Sequence, residues 1–221
     1  MKFHFHSNEY FLNYFLTDSE KKKYEHVKAG REENSERLGN TLKSHLSTLN
    51  DGVAAIIITV MLLEIPFPTT QGEYQSFLWS ILVFLVSFFV VAGFWYDNKR
   101  IFEAIQKVDH AITVLNFVFL ASLALIPVMT KWIMRKTDRF AVLNYGAVYL
   151  LTMLFHYALY FAILRKRFRN EMGLFWKMMF FRAVFVLVPN ILLLIIGWHM
   201  PRPVMVLYLA LPILGFLQPE Y

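Results

Sequence analysis

LNDGVAAIIITVMLLEIPFP, residues 49–68, is the stretch from which the fold of this chain is read. It is a nearly continuous apolar run with Asn50, Asp51 and Gly52 at one end and Glu64 near the other, where Pro66 and Pro68 follow. About 20 apolar residues are enough for a helix to cross a bilayer. An acid at the edge of such a span is costly unless it is partnered or solvated, so Asp51 is a candidate functional residue on physical grounds alone.

Five further runs have the same character, at 77–96, 112–129, 140–164, 180–198 and 204–217; the last is the shortest and contains Pro212. The gaps hold Pro, Gly and charge signals, among them Gly72, 97–100, 131–139, 165–169 and 201–203. The chain has 221 residues, of which 57% are hydrophobic and only 17% charged. That is too apolar for a soluble domain of this size. The predicted fold is therefore an all-α integral membrane protein with six transmembrane helices per subunit. The first 16 residues carry polar side chains every few positions and lead into a long charged segment, so the first span is expected to serve as its own targeting signal. Zero Cys excludes disulfides, zinc thiolates and cysteine nucleophiles.

The net charge of +6 is explained by placement rather than by a nucleic-acid partner, and none is expected. With the N-terminus inside, the inner segments 1–48, 97–111 and 165–182 carry 8, 3 and 6 Lys and Arg, against 0, 4 and 1 outside. Both termini are predicted to be cytoplasmic. Trp95, Trp132, Trp176 and Trp198 fall near span ends, where an indole anchors the interface.

On a helical wheel at about 100° per residue, with Ile56 at zero, Leu63, Gly52, Thr59 and Val60 gather in one narrow stripe. Asp51 falls about 140° away, on the back. A stripe of branched apolar side chains narrows a pathway and resists wetting, whereas a carboxylate ring attracts cations directly. The wheel favours the first. Its ordinary alternative is packing against a neighbouring helix or lipid. Glu64 lies beside the stripe at about +80°, either raising cation concentration at an outer mouth or standing as a solvated acid at the helix end.

The same stretch resembles a known pattern. Residues 49–65 are similar to the F-S-D-G-V-F-A-I-x-x-T-x-x-x-L-E-I signature of the transmembrane protein 175 family, the potassium-leak channels of bacteria and lysosomes. Leu49 stands at the Phe position, Asn50 at the Ser, and Asp51 is kept; His45 stands where the family has Arg. The family's W-x-x-H-H-R-x-F reads here as W-Y-D-N-K-R-I-F, which keeps Trp95, Arg100 and Phe102 and puts Asn98 and Lys99 at the two His positions. The third span supplies Asp109, Asn116, Leu120 and Pro127 of a D-x(6)-N-x-x-x-L-x(6)-P run, with Pro127 expected to stop the helix.

The resemblance covers about residues 45–217. It implies a homotetramer in a bacterial plasma membrane, with one first helix from each subunit around a central pore, passing potassium in preference to sodium with no cofactor, metal or catalytic residue. The residues matching Ile56, Thr59 and Leu63 line that pore, the branched ring as gate and the Thr ring contributing to selectivity. No T-V-G-Y-G filter occurs, since Tyr145-Gly146 is an isolated dipeptide, so modest selectivity is expected. The strong cation has changed helices relative to the family: Asp51 is expected to be held by Lys99, with His45 lending pH sensitivity, unless Asp51 simply caps its own helix. Asn116 is expected to find a hydrogen-bond partner near Asp51.

The expected organisation is a cytosolic extension, 1–44, before a channel domain, 45–221. Within the extension, 10–16 is a candidate amphipathic helix, and His4 and His6 lack further ligands at metal spacing. A proton-permeable channel or a secondary transporter for a small cation is the alternative function, although no internal repeat of the kind transporters carry is found. An enzyme is not expected, because His156 and His199 have no acid partners at catalytic spacing. R-K-R-F-R at 165–169 reads as an inner anchor, with anionic lipid head groups as its other possible contact.

Overall fold

The computed structural model describes residues 17–105, 108–167, 172–208 and 211–212, and all regular structure in them is helical. The seven α-helices among these residues are α1 (Asp18–Leu63), α2 (Tyr74–Glu103), α3 (His110–Leu123), α4 (Ile126–Arg135), α5 (Arg139–Arg167), α6 (Met172–Gly197) and α7 (Pro201–Leu207). Four stretches are long and apolar enough to cross a membrane: Arg37–Leu63, Gln71–Glu103, His110–Arg135 and Arg139–Arg165. The predicted fifth span, 180–198, falls in the 26 residues of α6 except for its last residue, Trp198. Parts of the sixth, at 209–210 and 213–217, lie outside the described residues, as do His4, His6, the 10–16 segment and 168–169 of the basic loop.

At 46 residues, α1 runs straight through the expected boundary between 44 and 45. Its length is about 69 Å at 1.5 Å per residue, roughly twice the hydrocarbon thickness of a bilayer. Local chemistry explains both ends. Glu20, three residues into the chain from Thr17, accepts from the Thr17 backbone N–H at 2.9 Å and from its hydroxyl at 2.7 Å, closing the first turn. No proline interrupts the chain until Pro66, and the residue before a proline is driven out of the α region, so the helix ends at Leu63.

The third span is built differently from the expectation. Pro127 does not stop a helix; it sits in the first turn of α4, where its missing N–H costs nothing, and α4 carries the span on to Arg135. The break falls just before it, at Ala124–Leu125, between α3 and α4. Asp109 opens α3 as its N-cap, its carboxylate accepting from the Ile112 N–H at 3.0 Å. Asp138 does the same for α5 through the Ala141 N–H at 2.8 Å.

Packing places α5 at the centre, against α2, α3, α4, α6 and α7, whereas α1 lies to one side, touching α2, α4 and α3. The main core joins Ala54, Ile57 and Met61 of α1 to Val83, Val86, Val90 and Phe94 of α2, Phe119 of α3, Ile133 of α4 and Tyr145 of α5. A second cluster at the other end unites Leu46, Ile101, Phe102, Ile112, Leu159 and Ile163. Gly146 is a point of close approach: a Cβ there would fall on the Tyr208 hydroxyl and Leu194, and Tyr208 is itself fully buried. The Tyr145-Gly146 dipeptide is thus a helix-packing contact. Gly146→Ala is expected to destabilise the fold by about 1–3 kcal/mol through overpacking, read as a lower melting temperature of the purified protein in detergent; an unchanged melting temperature would show that Tyr208 yields freely.

Candidate ion pathway

The two sides of α1 within the membrane are unlike. Leu46, Asn50, Ala54, Ile57 and Met61 recur at three- and four-residue spacing and are buried against the rest of the chain. On the other side Leu49, Gly52, Ile56, Thr59, Val60 and Leu63 are exposed, Ile56 at 63% and Leu63 at 84%. Nothing stands within 4 Å of where a Gly52 Cβ would be. Leu49, Ile56 and Leu63 follow one another at intervals of seven, as do Gly52 and Thr59, so they form one continuous strip. Thr59 is exposed and turns its hydroxyl hydrogen back onto the Ile56 carbonyl at 2.9 Å, so its donor is satisfied within the helix and its oxygen can still accept.

Behind this strip a polar cluster ties α1 to α2 and α3. Asp51 is inside a helix that begins at Asp18, so it caps nothing, and the capping alternative is corrected. One carboxylate oxygen pairs with Lys99 Nζ at 2.9 Å, and the other accepts from the Trp95 indole N–H at 2.8 Å. Lys99 also reaches the Ser47 hydroxyl at 3.3 Å, one helical turn below. Trp95 therefore does more than anchor an interface. His45 is exposed and is not among the groups that hold Asp51. Six residues along a helix place two side chains on different faces, which is why the pair does not meet.

A buried amide cluster lies beside it. Asn116 Nδ2 donates to Asn50 Oδ1 at 2.8 Å, Asn50 Nδ2 returns a bond to Asn116 Oδ1 at 3.3 Å, and Asn98 Nδ2 adds a longer one to the same oxygen at 3.5 Å. All three side chains are buried. The partner of Asn116 is thus the neighbour of Asp51 rather than Asp51 itself. Reciprocal amide bonds satisfy donors and acceptors where no water is at hand, which in hydrocarbon is the condition for having them there at all. Asp109, expected in the motif network, is occupied as the α3 cap.

A third polar chain gave no sequence signal. The Thr130 hydroxyl of α4 is hydrogen-bonded to the Ser87 hydroxyl at 2.8 Å, which lies 3.2 Å from the Tyr145 hydroxyl, so α4, α2 and α5 are joined behind Met61. At the far end of the strip Glu64 caps α1 and is paired with Lys131 of α4, Nζ lying 2.7 Å from one carboxylate oxygen and 2.9 Å from the other. Trp132 packs edge-on against Phe140, and Trp198 lies under the Arg139 guanidinium. His156 is buried between the rings of Phe94 and Phe119, and His199 is exposed.

Replacing Lys99 with Met leaves a half-buried carboxylate with the indole as its remaining partner. The expected loss lies between exposed and buried pairs, about 1–3 kcal/mol, and Asp51→Asn added to Lys99→Met should recover part of it. Melting temperatures of the parent, both single variants and the double variant check this; a Lys99→Met protein as stable as the parent rules the pair out as a support.

Residues 45–127 match the sequence profile of the family described as "Endosomal/lysosomal potassium channel TMEM175". A potassium channel of Chryseobacterium sp. (strain P1-3) is 36% identical over 109 residues, 47% of this chain and 56% of that protein. One of Chamaesiphon minutus is 31% identical over 117 residues, 48% of this chain and 58% of that protein, and one of Streptomyces collinus is 31% identical over 90 residues, 37% and 43%. The chain thus spans little more than half the length of the first two relatives. In fold, it is similar to the crystal structure of a lysosomal potassium-selective channel TMEM175 homolog from Chamaesiphon minutus, with a TM-score of 0.64, 22% identity, and coverage of 80% of this chain and 97% of that one. This is a multi-pass membrane chain that carries TMEM175-family sequence over residues 45–127 and shares its helical fold with a member of that family.

Proposed function

We propose that the chain is a potassium-selective cation leak channel of modest selectivity, a homotetramer in a bacterial plasma membrane with α1 of each subunit around a central pore. The observation that carries this reading is the uncovered strip on α1, from Leu49 to Leu63, on a helix whose opposite face is tightly packed. A strip of this kind must meet lipid, another protein or a lumen. An exposed Thr59 in the middle of that apolar strip supports the lumen, where its oxygen can meet a cation, although its bond to the Ile56 carbonyl would also let it face lipid. A threonine oxygen suits a potassium ion that has shed part of its water.

In this reading the Ile56 and Leu63 rings narrow the path and resist wetting, Val60 flanks them, and Thr59 contributes the selecting ring. Six spans per subunit, both termini cytoplasmic, complete the channel domain at 45–221. Residues 1–44 form a cytosolic extension, of which the part from Asp18 continues α1 away from the membrane. Asp51, Lys99, Trp95 and the Asn50, Asn98 and Asn116 amides stand behind the pore and hold α1 in its rotation. The named relatives are potassium channels, which supports potassium as the permeant ion.

Flux into liposomes under a potassium gradient and then a sodium gradient tests the assignment, with Ile56→Asn and Thr59→Ala beside the parent. Ile56→Asn should raise potassium flux by about ten-fold through wetting of the constriction, and Thr59→Ala should narrow the difference between the two ions. Cross-linking of the parent should yield a four-chain species. A folded, oligomeric protein that passes no potassium, with or without Ile56→Asn, would leave the channel reading untenable.

A further inference from the structure

Glu64 directly follows Leu63, the most exposed residue of the strip, and therefore stands at the end of the proposed pathway. A free carboxylate at such a point on each subunit would concentrate cations before they enter. The structure does not leave it free. Both of its oxygens are engaged by the single ammonium of Lys131, at 2.7 and 2.9 Å. Both side chains keep about a third of their surface open, 37% for Lys131 and 32% for Glu64, so the pair is not sealed inside the bundle. Lys131 is not a wandering surface chain. Its neighbour Thr130 is bonded to the Ile126 carbonyl and the Ser87 hydroxyl, and lies 3.6 Å from the Met61 sulfur of α1 itself. The α4 backbone is thus fixed against α1 where Lys131 leaves it.

We propose that Lys131 sets the conductance of the channel by cancelling the charge of Glu64 at its mouth. This rests on the channel reading. The flank of a pore-lining helix is within about 10 Å of the lumen, given the helix diameter. A fixed charge there acts on arriving ions at about 10 mM salt, where the Debye length is roughly 30 Å, and is screened at about 1 M, where it is roughly 3 Å. With Lys131 in place the two charges oppose each other and the mouth is close to neutral. A pair that served only to strap α1 to α4 would behave differently, because losing either partner would weaken the assembly in the same direction.

Single-channel potassium conductance of the full-length protein in planar bilayers, at both salt concentrations, separates these roles. Lys131→Gln bares the Glu64 carboxylates and should raise low-salt conductance about two-fold or more. Glu64→Gln bares the lysines and should lower it by a similar factor, and the Glu64→Gln/Lys131→Gln double variant should return to the parent value. At about 1 M salt the four proteins should converge. Loss of conductance in all three variants, or a Lys131→Gln channel identical to the parent at low salt, overturns the inference and leaves the channel reading intact. A folded parent with no conductance overturns both.

Discussion

Polar side chains placed at membrane depth have no water to fall back on, and the arrangement of this protein follows from how α1 meets that constraint. Its buried face carries Asn50, and its shoulder carries Asp51. Neither can face lipid, so each must turn toward α2 and α3, where Asn116, Asn98, Trp95 and Lys99 receive them. That requirement fixes the rotation of the helix about its own axis. Apolar packing alone would not, since Leu, Ile and Val surround α1 and a turn of 100° would exchange one apolar contact for another. Once the rotation is fixed, the side left uncovered is also fixed, and it is the side holding Ile56, Thr59 and Leu63.

Glu64 and Lys131 add a second point of control. Asp51 and Glu64 are thirteen residues apart in the sequence, about 20 Å along the helix, and they bind different partners, α2 for one and α4 for the other. They also lie on opposite shoulders of the buried face. A helix held at two heights and from two sides resists both tilting and rolling. The hydroxyl chain through Thr130, Ser87 and Tyr145 extends this support away from α1, since it fixes α4 to α2 and α5. The position of α1 thus depends on bonds that reach the centre of the bundle.

The long apolar runs made the first four spans legible, because nothing but a helix can carry so many unbroken apolar residues across hydrocarbon. The Asp51–Lys99 pair was legible too, from two departures at positions where a pattern set the expectation. Other features were hidden for identifiable reasons. The break at Ala124–Leu125 falls inside an uninterrupted apolar run, and periodicity does not report a change of helix there. Trp95 reads as an interfacial anchor, because that is where indoles ordinarily stand, and only the fold shows its N–H aimed at Asp51. His45 was drawn into the network by position in a motif, although its spacing from Asp51 puts it on another face. The length of α1 ahead of its apolar run was missed because the charged residues there lack an apolar stripe. The capping signature T-D-S-E at 17–20 and the absence of proline up to Pro66 were the signals that would have found it.

The separation of charge from pathway has a consequence for how such a channel can select. In the proposed tetramer the full charges of α1 within the membrane lie behind the helix or at its end, each with a counter-charge at salt-bridge distance. Inside the apolar strip the remaining polar contribution is the Thr59 oxygen, whose hydrogen is already committed to the Ile56 carbonyl. A ring of such oxygens presents lone pairs and no net charge. It can replace part of the water around an ion but cannot hold the ion as a carboxylate ring would. Discrimination between potassium and sodium must then come from the differing cost of removing that water at a narrow apolar constriction, so selectivity and gating share the same few residues, and a change that wets the Ile56 level acts on both.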